Sequence, residues 1–467
     1  MMQGDHSQSH ASLGLIQLND HLDFNTPLQL LDDHYPVGGA DLSEFVNQVN
    51  DLVSVNDDGR APSTTDNFAG PPEDFRPRKS QRREHYKAST TLATTTDEHG
   101  MSMITLLLEC AVAISADNLS DANRILLELT QVASPYAPSS AERVVAYFTK
   151  AMTSRVINSW LGICTPLVIH KSILSAFQSF NNVSPFVKFS HFTSNQAILE
   201  SFHQEQRVHI VDLDIMQGLQ WPALFHILST RPGGPPHVTM TGFGASASAL
   251  DDTGRRLSSF ARRLRLPFEF RPVAKRPGDV TDPSTVTPTG RGEAVAVHWL
   301  RHTLYDATGD DSNTMRVLEF LAPRIVTLVE QEVTHQGPFL DRFAAALHYY
   351  SAVFDSLGAC LGVDDSSRHG VEHGIMLREI ENILAIGGPA RSGEEKFGSW
   401  RAAMARRGFV QVAMSGNAMA QAQLIVNMFQ PGLGYGVEME GDGSLRLGWK
   451  GTGLYNASKW MARSPNS

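Results

Sequence analysis

From Arg207 onward the chain alternates β-branched runs with amphipathic helical stretches, and no other feature restricts the fold as much. Arg207–Asp212, His237–Gly242, Phe268–Val273, Glu293–Leu300 and Arg324–Gln331 read as strands. Helical periodicity follows at a stretch ending near Ser229, at Asp251–Leu264 and at Arg342–Leu357. Strands separated in this way predict a parallel sheet with right-handed crossovers. After helices near Glu379–Ile386 and Trp400–Arg407 the pattern changes to strand Phe409–Ala413 and helix Ala418–Phe429. Strands Tyr435–Glu440 and Leu445–Trp449 then form a hairpin around Gly441, Asp442 and Gly443. Five β/α units with such a tail predict a Rossmann-like, methyltransferase-like doubly wound α/β fold with a mainly parallel sheet.

A leucine-rich helical block, about 100–206, precedes the first strand. Leu119, Ala122, Ile125, Leu126, Leu129 and Val132 recur at steps of three and four. Ser139 and Glu142 form a capping-box pattern before a second apolar face through Val144, Val145, Phe148, Met152 and Val156. The block reads as a cap outside the sheet. Leu119, Ile125, Leu126 and Leu129 are either a partner interface or the cap's own core.

Charge divides the chain. Residues 1–75 hold thirteen acids against one arginine, a net −12, whereas the remainder carries 38 bases and 36 acids. A nearly neutral body argues against strong nonspecific DNA binding driven by overall charge. Residues 1–90 are poor in apolar side chains and predict a disordered acidic segment, of the activation type or merely solubilising. It ends in a basic linker with Arg76, Arg78, Lys79, Arg82 and Arg83, read as a nuclear import signal or a solvated linker. Cys110, Cys164 and Cys360 are too widely spaced for a zinc site or a disulfide framework, which implies a reducing compartment. The polar start predicts no secretory signal, and no apolar run is long enough to span a membrane. The sequons at Asn118, Asn182 and Asn456 then read as accidental.

Val208-His209-Ile210-Val211-Asp212 resembles the VHIID motif of the GRAS family, and the match runs on through Gly218 to Pro222. Pro323, Phe343 to Tyr350 and Arg378-Glu379 resemble its PFYRE elements. Trp400, Trp449 and Ala457-Ser458-Lys459-Trp460 resemble its SAW region, with Lys459 in place of the usual small residue. Arg231-Pro232-Gly233-Gly234-Pro235-Pro236, Leu266 to Phe270, Ala294 to Leu300 and Gly387-Gly388-Pro389 are similar to the SCARECROW branch, and the short N-terminal segment to its smaller SCARECROW-like members. The resemblance covers about 100–462, within a GRAS domain taken as 91–465 whose α/β core is 207–465. It implies a nuclear, non-enzymatic regulator of transcription in plant development. The partners it implies are a SHORT-ROOT-type GRAS protein and zinc-finger factors that carry the DNA contact, with homodimerisation as a further option. No cofactor is implied.

Two enzyme patterns compete. A methyltransferase that uses S-adenosylmethionine needs an open glycine-rich turn after the first strand. Here Asp212-Leu213-Asp214-Ile215-Met216-Gln217-Gly218 is bulky, and Gly242-Phe243-Gly244 offers no carboxylate for a ribose. His369-Gly370-Val371-Glu372-His373 matches the HxxEH metal pattern, but Gly370 and Gly374 weaken the helix it needs. Gly388 to Gly393 has phosphate-loop spacing but runs into Glu394-Glu395. Asp212 and Asp214 are functional or cap the next helix. Finally, Arg255, Arg256, Arg262 and Arg263 share the polar side of the helix Asp251–Leu264, as a solvated face or as a surface for an acidic partner or DNA phosphates.

Overall fold

The structure, a computed structural model, describes residues 84–161, 171–286, 292–385, 399–429 and 432–462. The β-branched runs become β1 (Arg207–Asp212), β2 (His237–Phe243), β3 (Phe268–Val273), β4 (Ala294–Arg301) and β5 (Ile325–Gln331). All neighbours among them are parallel, in the order β3-β2-β1-β4-β5. The chain starts in the middle and changes direction between β1 and β4, as in a doubly wound fold, which leaves a crevice at the strands' C-terminal ends.

The C-terminal tail differs from the sequence expectation. β7 (Tyr435–Met439) and β8 (Leu445–Trp449) do form the expected hairpin. A further strand, β9 (Thr452–Ala462), lies antiparallel to β5, with Val326 opposite Trp460 and Gln331 opposite Tyr455. On its other side β9 pairs with β8 at one end and with β6 (Phe409–Val412) at the other. β9 is thus built into the sheet interior. Glycine and small polar residues along β9, buried on both faces, give none of the alternation by which a strand is read.

Among the described residues five helices precede the sheet: α1 (Glu84–Ser115), α2 (Leu119–Val132), α3 (Ser140–Leu161), α4 (Lys171–Val183) and α5 (Pro185–Ser201). α1 begins inside the stretch read as segment 1–90; the acidic residues and the run Arg76, Arg78, Lys79, Arg82 and Arg83 lie outside the described residues, as do Gly387-Gly388-Pro389 and Glu394-Glu395. Asn118 caps α2 by accepting from Asp121 N–H at 3.3 Å. Glu142 accepts from Ser134 N–H at 3.2 Å, so its side chain reaches back beyond the expected capping partner Ser139.

On one side of the sheet lie α5, α6 (Trp221–Thr230) and α7 (Ala247–Arg263). α8 (Asp311–Leu321), absent from the sequence reading, and α12 (Trp400–Arg406) cover the other side with Trp299 and Trp460. α9 (Phe339–Cys360) and α11 (Leu377–Leu384) pack on α3, α9 also on α1, while α10 (Ser366–Val371) and a π-helical turn (Glu372–Met376) pack on α4. α13 (Gly416–Asn427) packs on α5.

Close packing of α7 on β3 depends on one glycine. A methyl group at Gly254 would meet Cδ1 of Phe270 at 2.4 Å. Alanine is the better helix former, yet Gly254→Ala is expected to destabilise by about 1–3 kcal/mol because the core there is already full. A urea midpoint equal to or above that of the parent would show that the Phe270 ring moves freely.

Candidate functional site

The crevice at the ends of β1 and β4 is where a doubly wound sheet places its chemistry. Here the chain's own side chains fill it. Asp212 Oδ2 accepts from Trp221 Nε1–H at 2.9 Å, and its Oδ1 accepts from Asp214 N–H at 3.1 Å. Burial pushes the Asp212 carboxyl up to about 7, although both hydrogen bonds oppose the shift. Asp214 accepts from Tyr305 Oη–H at 2.6 Å and from His302 Nε2 at 3.0 Å. Leu304 N–H donates to His302 Nδ1 at 3.2 Å, so both ring nitrogens are committed and neither is left to take a proton from a substrate. His298, held neutral by burial, meets the Thr327 hydroxyl at 2.9 Å and stands edge-on to Trp221.

S-adenosylmethionine does not fit these residues. Ile215 lies over Gly242 so closely that a methyl there would meet its Cδ1 at 2.9 Å. The space left around Asp212, Gln217 and Trp221 is about 30 Å³, against roughly 300 Å³ or more for a cofactor-sized pocket. Asp251 and Asp252 sit on α7, against the outer edge of the sheet, and line a different groove.

The resemblance-bearing residues are placed mainly in the interior. Val208 and Ile210 face the α5–α7 side and Val211 the α8 side, while His209 meets the Thr241 hydroxyl at 2.8 Å. Pro323 follows Ala322, whose φ of 40° ends α8 and turns the chain into β5. Glu379 accepts from Gln331 at 2.9 Å and from the Tyr350 hydroxyl at 3.0 Å. Its neighbour Arg378 is half-buried. Trp449 donates to Asp355 at 2.7 Å, Trp460 donates to Ser458 at 3.0 Å, and Lys459 pairs with Glu200 at 3.7 Å.

The HxxEH stretch is a buried ion cluster. Glu372 is fully buried, 3.0 Å from Arg143 on α3 and 3.8 Å from Arg368. His369 packs edge-on against Tyr136. The carboxylate that the pattern would use as a general base is therefore committed to arginines. No sequence pattern marks Arg143 as its partner, since the two stand 229 positions apart.

One surface expectation needs correction. Ile125, Leu126 and Leu129 are at most 2% exposed and Leu119 is half-buried, all packed within the cap's own core, because α2 turns that face onto α1 and α3. Exposed instead are Leu127 on α2 and, on α1, the stripe Met101, Leu108 and Val112, which i, i+7 and i+11 spacing puts on one side. On α7, Arg255, Arg262 and Arg263 are exposed. Arg256 is half-withdrawn, donating to the Thr253 hydroxyl at 3.1 Å and to Gln217 O at 3.5 Å. Among the described residues no helix is long and apolar enough to cross a membrane.

Known proteins share this architecture. The GRAS domain family model matches residues 103–461. Protein SCARECROW of Ipomoea nil is 56% identical over 371 residues, 78% of this chain and 47% of that protein. Protein SCARECROW of Arabidopsis thaliana is 54% identical over 375 residues, 79% of this chain and 57% of that protein. Scarecrow-like protein 23 of Arabidopsis thaliana is 47% identical over 373 residues, 78% of this chain and 90% of that protein. The crystal structure of SCL7 in Oryza sativa superposes with a TM-score of 0.64 at 30% identity, covering 77% of this chain and 99% of that one. The chain spans about half the length of the SCARECROW proteins it matches.

Proposed function

Because the chain belongs to the GRAS domain family, we propose that it is a non-catalytic regulator of transcription in plant developmental patterning, working in the nucleus through protein–protein contacts. The observation that carries the non-catalytic reading is the filled crevice: Ile215, Trp221, His302 and Tyr305 occupy the place where a doubly wound enzyme keeps its cofactor. Function then resides on the surface. The cap presents its exposed apolar stripe to a SHORT-ROOT-type GRAS protein, zinc-finger factors carry the contact with DNA, and the basic run Arg76 to Arg83 directs import.

Light scattering on the full chain mixed with a SHORT-ROOT-type partner tests this reading. A one-to-one mass is expected, and Leu108→Asp combined with Leu127→Asp should weaken pairing by roughly tenfold or more, since a carboxylate is costly to desolvate in an interface. Both positions are exposed, so the melting temperature should hold. Unchanged pairing would remove the cap from the interface, and a doubled mass for the chain alone would identify a homodimer. The enzyme reading has its own discriminator: calorimetry with S-adenosylmethionine should show no saturable heat, and a micromolar Kd would overturn the non-catalytic conclusion.

A further inference from the structure

At the C-terminal ends of β4 and β5 a second cavity lies beside the filled crevice, and His302 lines both. It measures about 60 Å³. Its walls are fixed before anything enters, as in most small-molecule sites. Asn382 Nδ2–H donates to Thr303 O at 2.5 Å and to Leu304 O at 2.9 Å, while Gly278 N–H donates to Thr308 O at 2.7 Å. The turn that leaves β4 is therefore held at both ends. Trp299 of β4 and Trp400 of α12 meet edge-on at 4.3 Å and form an apolar flank.

Two polar atoms on these walls are buried alone. Trp299 is 4% exposed and His335 8%, and neither Trp299 Nε1 nor His335 Nδ1 has a hydrogen-bond partner among the described residues. Leaving such atoms unmet is costly, so a cavity lined by both calls for a polar occupant. An indole N–H can only donate, which requires an acceptor on that occupant. Burial and the nearby Arg301 charge hold the His335 imidazole neutral, with one nitrogen to donate and one to accept. Charge selects further. On the wall Arg301 already holds Glu330 at 3.0 Å and Asp306 already holds Arg276 at 2.5 Å, and Asp311 adds a second carboxylate. An anion is therefore repelled, and an ammonium has no acceptor for the indole.

We propose that this cavity binds a small neutral carboxamide, either free or as the end of an asparagine or glutamine side chain of a partner. One planar group then meets both orphaned atoms: its oxygen accepts from Trp299 Nε1–H, and its NH2 donates to His335 Nδ1. Its flat faces suit the indole flank. The size agrees as well. A water needs roughly 10–15 Å³ of such space and benzene about 150 Å³, so the cavity takes a group the size of acetamide. A ligand this small is no cofactor, and the non-catalytic reading neither supports the site nor depends on it. Occupancy ties β4 to the segment after β5, which the empty cavity leaves apart.

Magnetic resonance of the indole N–H groups, on the full chain titrated with acetamide, tests the proposal. Of the six tryptophans, the one whose signal is lost in Trp299→Phe should shift saturably, with the millimolar Kd that so few atoms allow. His335→Leu should weaken binding roughly fivefold or more by removing one hydrogen-bonding group. Ala307→Leu, which fills the cavity from a half-buried position, should abolish the shift while the other indole signals stay in place. N-acetylglutamine amide separates the two sources. Saturation by it as well opens the site to a partner's side chain, whereas binding of acetamide alone assigns a free molecule. Acetate binding as tightly as acetamide would overturn the neutral class. A Trp299 shift that stays linear, or that persists in Ala307→Leu, would leave the cavity to water and end the proposal.

Discussion

Replacing Glu372 with alanine is expected to cost about 3–5 kcal/mol of folding stability. The carboxylate is fully buried between Arg143 and Arg368, which are themselves at most 1% exposed. Burial pushes the Glu372 carboxyl upward and the Arg143 guanidinium downward, each partly held back by the other. Arg143 also donates to Ala137 O at 3.1 Å, Pro138 O at 3.0 Å and Phe354 O at 3.2 Å, which fixes α3 to α9 and to the π-helical turn. Removing the acid leaves two buried guanidinium charges without the carboxylate that neutralises them. Urea unfolding measures the loss. Arg143→Met/Glu372→Leu should be less destabilising than Glu372→Ala, because it removes charge along with the partner. A Glu372→Ala midpoint close to that of the parent would mean that water reaches the cluster.

Glu379→Gln is expected to gain stability relative to the parent as pH rises from about 4 to about 7. Burial raises the Glu379 carboxyl to about 7 against the hydrogen bonds from Gln331 and Tyr350, and raises Asp212 to about 7 as well. In the unfolded chain both titrate near 4, so between those values the native state binds more protons. The stabilisation is whole below the unfolded pKa and is lost as pH climbs through the folded one, by up to about 1.4 kcal/mol per pH unit for each group. Glutamine keeps an oxygen for Gln331 and an amide to donate to Tyr350 without ever ionising. Glu379→Gln should therefore match the parent near pH 4 and exceed it at pH 8 by on the order of 2 kcal/mol. Denaturant midpoints at the two pH values decide the matter. An identical offset at both would show that Glu379 does not titrate in this window.

Much of the fold was legible because burial and local pattern coincide wherever one face of an element meets water. α2 was legible from its apolar stripe, whose steps at Ala122, Ile125, Leu126 and Leu129 are the buried ones. The strands β1, β3 and β8 stand where their β-branched and aromatic residues put them. α5 was not legible: Ser190, Thr193, Asn195 and Gln196 are buried on a helix enclosed from all sides, and no polar stripe exists to set a period. β9 was missed for the same reason.

By itself, then, the sequence determined the order of elements, the two faces of the outer helices and strands, and the bulky turn after β1 that argues against a cofactor. Each of these is written in neighbouring residues. Only the tertiary structure decided that the leucines of α2 face inward, that His302 and Tyr305 close on Asp214 from 88 and 91 positions away, and that Glu372 pairs with Arg143 instead of standing free as a base. Those outcomes depend on which surfaces meet after folding, where desolvation makes every buried charge find a partner however distant in sequence.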